Sequence, residues 1–98
     1  MAHKRGADLV AQELSRAGVK TIFTLSGNQI MPIFDAVIDV GIRLIHVRHE
    51  AAAVFMADAW SQLNNEIGVA LLPAAPGFAN GLAPLYSATC AESAVLLI

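Results

Sequence analysis

Glu50 is the residue in this sequence best placed to do chemistry. It stands where an apolar run, Ile42 to Val47, gives way to the alanine-rich stretch Ala51-Ala52-Ala53-Val54-Phe55. A carboxylate in the first turn of a helix is favoured by the helix dipole, and that alone would justify a glutamate here. Yet its sequence neighbours are almost all apolar. A carboxyl in a dry pocket has a raised pKa and can exchange a proton near neutral pH. Spacing alone leaves both readings open. Arg48 and His49 come just before it. A histidine beside a helix start reads first as a hydrogen-bonded structural residue. No second histidine follows four residues on, so a zinc-type pair is absent. Cys90 is the only cysteine. It excludes an intrachain disulfide or a cysteine metal cluster and reads as a buried thiol. No metal ligand set is expected.

The elements around Glu50 follow from hydrophobic period. Gly6 to Ala17 carries Ala7, Val10, Ala11, Leu14 and Ala17 on one helical face, and Gly18 stops it. Thr21 to Leu25 is β-branched and aromatic, a strand. Ile30 to Val40 is a second helix, with Ile30, Ile33, Phe34, Val37 and Ile38 expected inward and Pro32 in its first turn. Ile42 to Val47 is a second strand, in which His46 packs. A third helix runs from Glu50 to about Leu63, and its Asp58 and Trp60 are expected to face a partner or a neighbouring helix. Ile67 to Leu72 is nearly continuous in apolar residues, as in a strand covered on both faces. A fourth helix is expected from Phe78 to Ala91, with Leu82, Leu85, Tyr86 and Thr89 as its core stripe. Ala94 to Ile98 is a fourth strand. Strands alternating with helices of this length predict an α/β fold: a three-layer open parallel sheet with helices on both faces.

In such sheets ligands bind beyond the carboxyl ends of the strands. Three loops lie there: Ser26-Gly27-Asn28-Gln29, Arg48-His49-Glu50 and Ala74-Ala75-Pro76-Gly77. The first and third are built of small residues that let a ligand approach the backbone. Neither matches a Walker or G-x-G-x-x-G phosphate loop. Taken plainly they are turns, with Asn28 capping the helix that follows.

Composition narrows the function classes. The chain has 98 residues, 56% of them hydrophobic and 14% charged, with a net charge of −2. That is one small domain, far from the composition of a disordered segment. Without clustered Lys and Arg, nucleic-acid binding is not expected. Ile67 to Ala91 carries no charge, but Pro73, Pro76, Pro84, Gly77 and Gly81 break it, against a membrane span. The opening Met1-Ala2-His3-Lys4-Arg5 has no apolar leader, so a cytoplasmic setting is expected. Stopping inside the apolar run Val95-Leu96-Leu97-Ile98, the chain reads as a piece of a longer one or as one completed by a partner.

Taken in order, Gly-Ala-Asp-Leu-Val-Ala-Gln-Glu-Leu from Gly6, Gly-Val-Lys-Thr-Ile-Phe-Thr-Leu-Ser-Gly-Asn from Gly18, Arg-His-Glu-Ala-Ala-Ala from Arg48 and Ala-Pro-Gly-Phe-Ala-Asn-Gly from Ala75 resemble a known family. They look like the N-terminal pyrimidine-binding domain of thiamine-diphosphate-dependent enzymes, in the branch of acetolactate synthases and 2-hydroxyacyl-CoA lyases. The resemblance runs from about Lys4 to Ile98. It implies that Glu50 hydrogen-bonds N1′ of the cofactor's aminopyrimidine, favouring the tautomer whose 4′-nitrogen deprotonates C2 of the thiazolium. It places Gly27 and Asn28 beside the cofactor, Pro76, Gly77 and Asn80 against the pyrimidine, and Gln29 and His49 on the substrate side. It implies thiamine diphosphate with magnesium, the metal and diphosphate being held by a second domain that this chain lacks, often in another subunit. The substrates implied are small 2-oxo acids or 2-hydroxyacyl compounds, and the assembly a homo-oligomer. The family usually has Gly-Pro-Gly where this chain has Ala75-Pro76-Gly77; if that motif requires a positive φ at Ala75, the cost is about 1 kcal/mol or more. The family also often has Ser, Thr or Gly ahead of that motif, where this chain has Pro73-Ala74. A non-catalytic interaction or regulatory module derived from the same fold is the alternative.

Overall fold

The computed structural model describes residues 4–98; the opening Met1-Ala2-His3 lies outside the described residues. Four short strands, β1 (Thr21–Thr24), β2 (Arg43–His46), β3 (Gly68–Leu71) and β4 (Val95–Leu97), form one parallel sheet in the order β2-β1-β3-β4. Helices α1 (Gly6–Arg16), α2 (Met31–Asp39), α3 (Glu50–Asn64), α4 (Pro76–Ala79) and α5 (Leu82–Cys90) connect them. Parallel neighbours cannot be joined by tight turns, so each crossover carries a helix across a sheet face.

Side chains alternate across the sheet and divide the core in two. Ile22, Val69 and Leu71 pack with Ala11, Leu14, Ala36 and Val37 from α1 and α2. Phe23, Ala70 and Leu72 pack on the opposite face with Ala53, Val54 and Ala57 from α3, and Leu85 of α5 joins them. The expected three layers are therefore present. The strand β3 is buried along its whole length, as its unbroken apolar run predicted. Gly18, at a φ of +84°, turns the chain from α1 toward β1. Arg5 ties the start of α1 to α2: its guanidinium lies 2.9 Å from both Asp8 and Asp35. No helix among the described residues is long and apolar enough to cross a membrane.

Several expectations fail in one instructive way. Ile38, expected inward, is 72% exposed. Of the expected α5 stripe only Leu85 packs in the core; Leu82, Tyr86 and Thr89 are exposed, and α5 buries Pro84 and Ala88. Trp60 turns toward the sheet, edge-to-face with Phe23 at 5.9 Å. Asp58 is buried and accepts a 2.8 Å hydrogen bond from Gln62. Cys90 is exposed, because it lies at the end of α5 on the side away from the sheet. The single helix expected from Phe78 is two, broken at Asn80-Gly81, where a Cβ on Gly81 would come within 2.5 Å of Leu72. His46 is exposed at the sheet edge but still stacks on Phe34 at 5.6 Å.

The closest approach between layers is at Gly68, whose added Cβ would stand 1.9 Å from the Ala57 carbonyl oxygen of α3. Gly68→Ala therefore forces α3 off the sheet and is expected to cost about 3 kcal/mol. At Gly6, where nothing lies within 4 Å, Ala is expected to be tolerated. Urea melts of the two variants check both. Ala75, leaving β3, sits at a φ of 60° and ψ of −123°, a conformation that favours glycine. Ala75→Gly relieves that strain and is expected to raise stability by about 1 kcal/mol. The Arg5 side chain and backbone N–H hold the Asp8 carboxyl at about 2, below its ordinary 3.8. Because that pKa is depressed in the folded chain, its contribution is full above pH 4 and disappears as pH falls toward 2. Melting temperature should drop across that window, and less steeply in Asp8→Asn.

Candidate active site at the carboxyl end of the sheet

The strand order reverses direction at β1 and β3. From β1 the chain crosses first to β2 on one side and then to β3 on the other. The loops leaving β1 and β3 therefore diverge from neighbouring strand ends, and a crevice opens between them. Their backbones still approach closely: a Cβ on Gly27 would lie 2.5 Å from the Cβ of Pro73. The Thr24 hydroxyl donates to the Leu71 carbonyl at 2.6 Å and locks these two strand ends together. Pro73, having no N–H, follows directly without leaving a donor unpaired.

Glu50 enters from β2. It opens α3 and stands half-buried at the mouth of the crevice. Its Oε2 accepts a 3.2 Å hydrogen bond from the Asn80 carboxamide. Its Oε1 lies beside the backbone of Gly77, 3.4 Å from where a Cβ would stand. The same Cβ would strike the Pro73 ring at 2.5 Å, so only glycine lets the start of α4 close on this carboxylate. Pro76 is exposed at the first position of α4, where its missing N–H costs nothing. Residues separated by some thirty positions thus meet: Glu50, Gly77 and Asn80 share one spot, with Pro73 and Gly27 packed beside it.

The other candidates sit nearby in different roles. His49 is the N-cap of α3: its Nδ1 accepts the Ala51 backbone N–H at 3.1 Å. Asn28 does not cap. It begins a 3-10 turn, Asn28–Ile30, whose N-cap is Gly27, and no side-chain cap bond forms. Gln29, exposed in that turn, folds its Oε1 to 3.7 Å from the position of a Gly27 Cβ. Sequence reasoning named Pro73 as a departure and missed it as the wall shared by two glycines. Only the tertiary approach of the β1 and β3 loops shows that role.

Of the two readings that spacing leaves open for Glu50, the carboxyl follows the helix-start one. Its own backbone N–H at the helix start, then Asn80, hold the carboxyl below the usual range, and His49 adds to this. These donors outweigh desolvation because one edge of the group faces solvent. The group is an ionised acceptor with Oε1 taking no side-chain hydrogen bond among the described residues. That suits an N–H of a planar ring laid against Gly77. Among the described residues no cluster of three His, Cys, Asp or Glu could hold a metal ion. A separate cleft of about 580 Å³, lined by Gly18, Ser61, Gln62, Glu66, Glu92 and Ser93, lies at the other end of the strands, away from every candidate residue.

This arrangement agrees with comparisons to known proteins. The chain is 45% identical over 95 residues to 2-hydroxyacyl-CoA lyase 2 of Danio rerio, covering 97% of this chain and 15% of that protein. It is 41% identical over 95 residues to 2-hydroxyacyl-CoA lyase 2 of Homo sapiens, with the same coverage of 97% and 15%. It is 40% identical over 90 residues to the acetolactate synthase large subunit IlvG of Mycobacterium tuberculosis, covering 92% of this chain and 16% of that one. The chain thus spans about 15% of the length of these relatives. The family model described as thiamine pyrophosphate enzyme, N-terminal TPP binding domain, matches residues 4–98, and the chain belongs to that family.

Proposed function

We propose that this chain is the front part of the pyrimidine-binding domain of a thiamine-diphosphate-dependent lyase or carboligase, and that Glu50 is its cofactor-activating carboxyl. The observation that carries the reading is the Glu50 carboxylate at the strand-order reversal, one oxygen held by Asn80 and the other lying beside Gly77. When bound, thiamine diphosphate supplies a carbon nucleophile and an electron sink next to a substrate carbonyl.

The chain's own residues bind and orient. Asn80 fixes the rotation of the carboxylate so that Oε1 points at the crevice. Gly77 and the Pro73 ring make a flat wall that an aromatic ring can lie against. Gly27 and Asn28 line the opposite loop, with Pro76 at the rim and Gln29 and His49 toward the substrate. A ring covering Glu50 excludes water from it and raises its pKa from the depressed value of the open crevice, which lets it hold and return a proton. The metal ion, magnesium, and the diphosphate fall to a second domain, from the remainder of a longer polypeptide or another subunit. The substrates are small 2-oxo acids or 2-hydroxyacyl compounds, in a cytoplasmic enzyme.

Two measurements test this. With the 98-residue chain, titration of thiamine diphosphate is expected to move the amide resonances of Gly27, Gly77 and Asn80, weakly and without turnover. Glu50→Gln should weaken that binding several-fold while leaving the melting temperature unchanged. In an enzyme completed by the diphosphate domain, Glu50→Gln is expected to lose about 10²-fold or more of kcat. Shifts confined to other surfaces, or retention of most activity, would overturn the assignment, and no binding at all would favour the non-catalytic module.

A further inference from the structure

A helix as short as α4 does not hold its own place, because one turn of hydrogen bonds does not offset the cost of nucleating it. Yet α4 is the element that brings Asn80 to Glu50. Its position comes from two glycines four residues apart, Gly77 within it and Gly81 just after it. A Cβ on Gly81 would stand 2.5 Å from Cδ1 of Leu72. One on Gly77 would stand 2.5 Å from Cγ and 3.3 Å from Cδ of Pro73. Leu72 and Pro73 are consecutive, so the exit of β3 carries both seats. A leucine side chain can change rotamer, whereas a proline ring is closed onto its own backbone nitrogen and cannot swing away. The same ring meets Gly27 of the β1 loop through its Cβ, at 2.5 Å from the position of a Gly27 Cβ. Behind it, the Thr24 bond to the Leu71 carbonyl fixes the two strand ends.

We infer that Pro73 is a positioning residue for the Glu50 carboxylate: its Cγ–Cδ edge seats Gly77, and through α4 that seat delivers the Asn80 carboxamide to Glu50. Asn80 is exposed, so water competes for it wherever α4 shifts. Glu50's own backbone N–H comes first among the donors that hold its carboxyl below the ordinary range, and Asn80 second. The first belongs to α3 and does not depend on Pro73, so the two contributions are separable. A role for Pro73 in cofactor activation rests on the reading of Glu50 proposed above; its positioning of the carboxylate does not.

Carbon-13 NMR titration of the Glu50 carboxyl in the 98-residue chain, without cofactor, tests it. Pro73→Ala removes Cγ and Cδ and keeps the Cβ that meets Gly27. It is expected to raise the Glu50 pKa, as Asn80→Ala does, because both lose the same donor. The double variant P73A/N80A is expected to titrate like N80A alone. Pro73→Val frees the backbone equally but restores carbons at the Cγ position, and is expected to return the titration toward wild type. Ile22→Val, a truncation on the other face of the sheet, is expected to lower stability and leave the titration in place. Where Pro73→Ala lacks a folded spectrum, trimethylamine N-oxide, which favours the folded chain, supplies one. An unchanged titration in folded P73A, or effects of P73A and N80A that add, would overturn the inference. Thiamine diphosphate is then added, and P73A and N80A are each expected to weaken its binding about fivefold. If the titrations are coupled as described but the cofactor moves no Glu50 signal, the positioning role stands and the cofactor reading of Glu50 falls.

Discussion

Everything in this chain depends on β1 having a parallel neighbour on each side, reached by crossovers that leave in opposite directions. Parallel pairing denies the chain hairpins, so helices must return across the faces, and both faces of β1 and β3 are sealed. The same reversal keeps the loops after β1 and β3 from covering the gap between their own strand ends. Burial and opening are two results of one topology. The core holds the strand ends rigid, and the strand ends hold Pro73 against Gly27 and Gly77. Glu50 then needs only the β2 exit and the first turn of α3 to reach that wall.

Much of this was legible in the sequence, for reasons that mark where legibility stops. Period and run length located all four strands, because a strand buried on both faces must be apolar throughout and β3 is. Glu50 could be placed because an acidic residue at a strand-to-helix junction has few other positions to occupy. Its partners Gly77 and Asn80 were reached through the family resemblance, since nothing local links them to position 50. Its protonation was left open by spacing. Apolar neighbours in sequence do not make a dry pocket when the helix start donates its own N–H and one edge remains open. Asn28 failed as a cap because the chain there makes a 3-10 turn, so the capping position falls on Gly27.

The exposed apolar residues are failures of a different kind. Periodicity reports that a helix face is apolar, and cannot report which element covers it. On α5 the stripe of Leu82, Leu85, Tyr86 and Thr89 was assigned to the core, yet only Leu85 packs there, and the residues buried are Pro84 and Ala88. The α5 that reaches the sheet is set by Gly81, whose backbone closes on Leu72 and breaks α4 from α5. A residue without a side chain thus decided which face of the next helix turned inward, and hydrophobicity could not reveal it.

Composition fits the same division. A chain with 14% charged residues is short of the polar surface a free small domain needs. The shortage is not spread evenly. The α1/α2 layer has ordinary salt bridges and a solvated face, while α3 and α5 have almost no charge. Were the low charge a mark of general insolubility, both layers would share it. Its confinement to one layer makes the outer face of α3 and α5 the apolar side of the molecule. The crevice at Glu50 lies at the head of that same helix, so one element carries both the site and the seal of the sheet: its first turn holds the carboxylate, and Ala53, Val54 and Ala57 behind it close over Phe23 and Ala70.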